Sequence, residues 1–182
     1  MGEVATEGTL QDILGRLDGD HAIGYVGDLM MVTAAAGELY IGGAGRLVLT
    51  EAGNTRGLLA NPADSGKLCY IVRISFFSSA LGFAHFRVNP TTGRPAIAST
   101  TSNALLQAVP PSAMQVGFDT HITTQLGGGT LLGNVVGLAA GVRTSLDLPP
   151  LILPPGNSWG FNVPYSTPAD FVCSIYWVER DL

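Results

Sequence analysis

The residues with side chains suited to chemistry are few and scattered. The three histidines, His21, His85 and His121, stand far apart. A metal-binding β-barrel of the cupin kind would set two histidines two apart on one strand with an acid nearby, and none of the three has that arrangement. The string ANPADSGKL (60–68) superficially suggests a phosphate loop, but Asn61 stands where the pattern needs glycine and Leu68 where it needs Ser or Thr. A turn leading into a strand is the better reading. Asp18, Asp20 and Glu38 do not make a twelve-residue calcium loop, and no Gly-x-Ser-x-Gly elbow occurs. The acids lie mostly in turns and termini, which disfavours a carboxylate pair for glycoside hydrolysis. No catalytic residue, cofactor or metal ligand is assigned, and an enzyme is not expected.

Cys69 and Cys173 each sit in an apolar run and read as buried free thiols, with a bridge between two neighbouring strands as the alternative; their spacing excludes a CxxC redox or zinc motif. Trp159 and Phe161, just after a Pro-Pro-Gly turn, are candidates for an interface anchor or a sugar-stacking platform. Two aromatics at alternate strand positions are more often core, and that alternative stands beside the first.

Composition narrows the class. Of 182 residues, 46% are hydrophobic and 13% charged, about half the charge of an ordinary globular domain. Low charge lowers the cost of desolvating an interface, which favours a chain covered in part by copies of itself or by a partner; a surface rich in Ser, Thr, Asn and Gly is the plainer alternative. The net charge of −5, with basic residues placed singly, argues against nucleic acid and acidic membranes. No apolar stretch is long enough to cross a membrane as a helix, and the N-terminus lacks a secretory pattern.

The elements that must carry these residues are mainly strands. Leu10, Ile13, Leu14 and Leu17 recur at helical spacing behind Thr9 and Asp12, until Asp18, Gly19 and Asp20 stop the pattern. This predicts an N-terminal arm, 1–20, with one brief helix too short to stand alone, and a single β domain over 21–182. Strands are expected at 29–33, 38–42 and 46–51, with Gly42, Gly43 and Gly45 supplying a tight turn. A turn at 61–66 leads into a long strand from Lys67 to about Phe77. Strict alternation along it sends Leu68, Tyr70, Val72, Ile74 and Phe76 one way and Cys69, Ile71, Arg73, Ser75 and Phe77 the other. The run 84–88 is a candidate to pair with that strand across the SSALG link (78–82).

In the middle, Val116, Phe118, Thr120 and Ile122 alternate with polar neighbours. The glycine-rich segment 127–141 reads as a loop over a sheet or as a surface packed on a symmetry mate. The final strand puts Phe171, Cys173, Ile175 and Trp177 on one face and Val172, Ser174, Tyr176 and Val178 on the other. The prolines at 149, 150, 154, 155, 164 and 168 belong at strand ends and edges. The fold class is therefore all-β: a jelly roll or β-sandwich with a short arm.

The run LPPLILPPGNSWGFNV and the closing IYWVE resemble the end of small jelly-roll structural proteins of tailed bacteriophages; the matching positions are Pro154, Pro155, Gly156, Trp177 and Glu179. NPADSGKLCYIVRI resembles the segment in which an Asn-Pro turn enters their long central strand. Together these span a third to a half of the chain, and the motifs are architectural. The resemblance implies a virion protein on the outer surface of the capsid: a decoration (cement) protein, a homotrimer bound to the major capsid protein, with the arm bearing Leu10, Ile13, Leu14 and Leu17 reaching over neighbouring capsomers. The alternative is a tail, fibre or baseplate component that contacts host glycans or a receptor.

Overall fold

The computed structural model describes residues 39–97, 102–103 and 111–182. The arm, with Leu10, Ile13, Leu14 and Leu17, and the strand expected at 29–33 lie outside the described residues. Among the described residues ten strands follow in order: β1 (Leu39–Leu49), β2 (Gly53–Ala60), β3 (Lys67–Ser78), β4 (Gly82–Val88), β5 (Ser102–Asn103), β6 (Gln115–His121), β7 (Thr130–Leu138), β8 (Val142–Leu153), β9 (Ser158–Tyr165) and β10 (Ala169–Asp181). They form two antiparallel sheets, the first in the order β5-β1-β10-β3-β8 and the second in the order β6-β2-β9-β4-β7.

The pairing is that of one long hairpin rolled on itself. β1 pairs with β10, β2 with β9, β3 with β8 and β4 with β7. Rolling adds β3 to β10 and β4 to β9. The expected β-sandwich is thus a jelly roll, with β5 and β6, from the connection at the hairpin's tip, widening the two sheets beside β1 and β2.

The core lies between the sheets. Phe171, Cys173, Ile175 and Trp177 all point into it, as the alternation along β10 predicts. They meet Trp159, Phe161 and Val163 from β9 and Phe86 from β4. Burying one such large apolar side chain contributes about 1.5–3 kcal/mol before entropy is counted.

The β3 alternation needs correction. Ile71 and Ile74 both face the core, so the phase changes between them. Val72 has no partner in either ladder: Trp177 pairs with Ile71 and Tyr176 with Arg73, while on the other side Leu151 pairs with Ile71 and Asp147 with Arg73. A bulge there slips the period-2 pattern by one residue. Cys69 and Ile71 face inward before it, Ile74 and Phe76 after it, and Tyr70 and Val72 join Leu39, Tyr176 and Val178 in a second cluster on the outer face.

The turn expected at Gly42–Gly45 is also corrected. These residues lie within β1, with an irregularity between Ala44 and Leu47, and none of the three glycines has a positive φ. Gly42 is needed for space: a Cβ there would stand 2.9 Å from the Trp177 ring. β4 does not pair with β3. Both edges of β3 are taken, by β10 and β8, and the turn after Ser78 carries the chain to the other sheet. The glycine-rich segment is neither loop nor cover over most of its length; its residues 130–138 are β7, an edge strand.

Proline placement follows expectation. Pro149 and Pro150 fall where the ladder of the edge strand β8 is interrupted, and Pro154 and Pro155 stand in the turn before β9. At 61–66, Asn61 Nδ2 donates to the carbonyls of Lys67 and Leu153, both at 2.8 Å, which holds the supposed phosphate loop as a structural turn.

The connections around β5 and β6 close the outer face of the second sheet. Arg56 donates from Nη1 to the Gly93 carbonyl at 2.9 Å, and the Leu126 N–H donates to Asn162 Oδ1 at 3.4 Å. Gly117 permits the approach, since a Cβ would lie 2.2 Å from the Ala96 carbonyl oxygen. All eight residues of β2 are consequently buried. The first sheet keeps the more open outer face, where Val172 and Ile152 are exposed.

Candidate docking surface at one end of the roll

Four connections, after β1, β3, β7 and β9, gather at one end of the sandwich with the segment that follows β6. The Ser79 N–H donates to the Asp170 carbonyl at 2.9 Å, and the Gly141 N–H to the Ser78 carbonyl at 2.8 Å. Ser78 Oγ accepts from the Tyr165 hydroxyl at 2.8 Å and donates to the Ala80 carbonyl at 2.6 Å. Ser79 Oγ accepts the Asp170 N–H at 2.7 Å. These bonds satisfy the backbone of a tight link, and the residue that follows, Leu81, is left in solvent.

Leu81 has company. Val48, Leu81, Phe83, Ile122 and Val142 are between 47% and 76% exposed, although each would gain from burial. Three shallow hollows of about 320, 430 and 430 Å³ separate the loops. Val48 lines two of them, beside His121 and Ile122 in one and Pro168 and Asp170 in the other; Leu81 and Phe83 line the third with Pro164 and Tyr165. Glu51 adds a carboxylate to the first hollow, and the Arg46 guanidinium pairs with Asp170 at 2.8 Å on the outer side. His121 is committed to its turn, Nδ1 accepting the N–H groups of Thr123 and Thr124 at 3.2 and 2.9 Å. The arrangement offers apolar contact rimmed by hydroxyls and backbone, the chemistry of a protein-docking patch.

The candidates named from sequence lie elsewhere. Trp159 and Phe161 are buried, Trp159 stacked on Phe86 with ring centroids 5.3 Å apart. The interface or glycan-platform reading is corrected to core, because inward alternation in β9 turns both rings between the sheets. His85, on β4, and His121, at the end of β6, are separated by β2 and β9; His21 lies outside the described residues. Among the described residues no group of three His, Cys, Asp or Glu is placed to hold a metal ion. Sequence reasoning missed the apolar end. Its one signal is an apolar residue standing alone in a turn, Leu81 within SSALG and Ile122 within HITT.

At the opposite end the IYWVE motif finds a structural explanation. The Glu179 carboxylate accepts from the Trp177 indole N–H at 3.0 Å, the Ala113 N–H at 3.1 Å and the Ser112 hydroxyl. One buried acid thereby pins the segment before β6 to the end of β10. Trp177 and Glu179 are matched by the phage resemblance, and here they act as a latch.

Both cysteines are free and buried, Cys69 opposite Glu179 and Cys173 opposite Phe76 across the β3–β10 ladder. Burial pushes both thiols well above their ordinary range, and for Cys69 the nearby Glu179 charge adds to it. The thiolate is the reactive form. Ellman's reagent is therefore expected to find no reactive thiol in the native protein and two per chain after unfolding; rapid native labelling of either would contradict the buried assignment.

Comparison with protein-family models, with curated proteins and with solved structures returned no match. The class the fold defines is an all-β jelly-roll sandwich, and the phage resemblance rests on its turn and strand motifs alone.

Proposed function

We propose that this jelly roll is a structural assembly protein: a capsid decoration protein that sits as a homotrimer on the outer surface of a tailed-phage head, bound to the major capsid protein. The observation that carries the reading is the apolar end of the roll, where Leu81 and Ile122 in the connections and Val48, Phe83 and Val142 at strand ends are exposed. A patch of this kind gives modest affinity per copy, and symmetric repetition over a shell multiplies it into strong retention. The tail or fibre alternative keeps its fold cues but loses the aromatic platform that was the other part of its support, since Trp159 and Phe161 are buried.

The test is light scattering on the purified protein followed by co-sedimentation with undecorated capsids. A trimer in the pellet at fixed stoichiometry is the expected result. The triple variant Leu81→Asp, Phe83→Asp, Ile122→Asp is expected to keep its unfolding midpoint nearly unchanged, each exposed site contributing within about 0.5 kcal/mol. It should lose at least about tenfold in shell affinity, the equivalent of about 1.4 kcal/mol. Wild-type protein that stays in the supernatant at saturating concentration would overturn the decoration reading.

A further inference from the structure

The turn that carries Ile122 is closed by a side chain whose bonding depends on a proton. His121 ends β6, and its ring Nδ1 accepts the N–H groups of Thr123 at 3.2 Å and Thr124 at 2.9 Å. A side-chain acceptor bonded to the N–H groups that follow it by two and three positions is the geometry of an asparagine or aspartate turn. The imidazole reproduces it because Nδ1 is attached to Cγ, as Oδ1 is in asparagine. The two acceptors differ in one respect. Nδ1 accepts only while it carries no proton, so these bonds assign the neutral ring with its hydrogen on Nε2, which lies 3.5 Å from Thr124 Oγ1.

We infer that His121 is a proton-operated clasp on the apolar end of the roll: the neutral ring closes the 121–124 turn and fixes Ile122, and the protonated ring releases it. A proton on Nδ1 turns the acceptor into a donor aimed at two other donors, and both backbone bonds are lost together. The closed turn binds one proton fewer than the open one, so it is populated at higher pH and lost as pH falls. Ile122 lies between the ring and the two N–H groups that the ring holds. With 55% of its surface in water, it has little packing of its own to replace the clasp. The charged surroundings do not oppose the change. Glu51, in the connection after β1, lines the same hollow as His121 and leaves a carboxylate to receive the cation. Asp119, on the same face of β6, is bound through both its oxygens by Arg56 of β2. From β2, Asn54 Nδ2 also donates to the His121 carbonyl at 3.4 Å, so the backbone of His121 stays paired when its ring lets go. The clasp stands on the turn alone; its effect on docking rests on the decoration reading.

The clasp is tested on the full chain without capsids, isotopically labelled and titrated by NMR from about pH 8 to about pH 5, the window in which histidine ordinarily changes charge. The amide resonances of Thr123 and Thr124 and the methyl resonances of Ile122 are expected to move with those of the His121 ring, on one common midpoint. His121→Asn keeps an acceptor that takes up no proton in this window, so the same resonances should stay still. Amides of Thr123 and Thr124 that ignore the His121 titration, or that move equally in the Asn variant, would overturn the inference. Co-sedimentation with undecorated capsids at the two ends of the window then reads the consequence for docking. Wild-type protein is expected to bind several-fold more weakly at the lower pH, and in His121→Asn the ratio between the two affinities should approach unity. Equal ratios in the two proteins would overturn the control of docking by the clasp. Wild-type protein left in the supernatant at both pH values would instead overturn the decoration reading, with the clasp decided by the NMR titration.

Discussion

Phe161→Ala is expected to cost about 3–5 kcal/mol of unfolding free energy, read as a fall in the urea midpoint at unchanged slope. Phe161 is fully buried at the centre of β9. Its ring is edge-on to Phe76 at 5.1 Å and lies 5.8 Å from Phe171, 6.3 Å from Phe118 and 6.2 Å from Trp159. Truncation removes a partner from four aromatic contacts at once and leaves a cavity that two hydrogen-bonded sheets cannot collapse into. The opposing strand is already adapted to the ring, since a Cβ on Gly57 would stand 2.2 Å from it. The same measurement decides between core and contact surface for this residue. A loss below about 1 kcal/mol would mean that the ring is not structural, and would restore Phe161 to the interface.

Asp119→Ala follows as the second large effect, expected at about 2–3 kcal/mol. Arg56, buried on the outer face of the second sheet, donates Nε to Asp119 Oδ1 at 2.8 Å and Nη2 to Oδ2 at 2.6 Å. Removing the carboxylate strands a guanidinium with 5% of its side chain in water, and orphaning a buried charge costs about 3–5 kcal/mol. The Asp119 side chain is 34% exposed, so part of the pair is already screened and the lower figure applies. The double variant Arg56→Met, Asp119→Leu should recover most of the loss, because it removes the stranded charge as well as the bond. Because Nη1 also holds the Gly93 carbonyl, Asp119→Ala is expected to sensitise residues 91–97 to proteolysis. Retained midpoint and retained protease resistance would show that the cover over β2 is held by something other than this pair.

Both predictions concern architecture, in keeping with a site made of surface. The latch at Glu179 and the turn bonds around Ser78 and Ser79 have a common consequence: the two ends of the roll are rigidly bonded, so the apolar residues at one end are presented on a fixed frame. Under the proposed docking role this matters more than any single contact, since little conformational entropy would remain to be lost when a partner arrives.

What the residues alone determined is the local part of the fold. Strand character, the turn at 61–66, the inward set along β10, the edge placement of Pro149 and Pro150 and the buried thiols follow from period-2 patterning and backbone chemistry within a few residues. The tertiary structure decided the rest. Val72 is an ordinary β-branched residue in a strand sequence; that it bulges, and so reverses the phase of β3, depends on how β10 and β8 register against it. Gly42 and Gly45 read as turn residues until Trp177, more than a hundred positions away, requires the space over Gly42. Whether Trp159 and Phe161 face a partner or the core, and whether Leu81 and Ile122 face solvent, depends on which sheet each strand joins. Sheet membership is settled by pairings between strands far apart in the chain, and no local spacing encodes those.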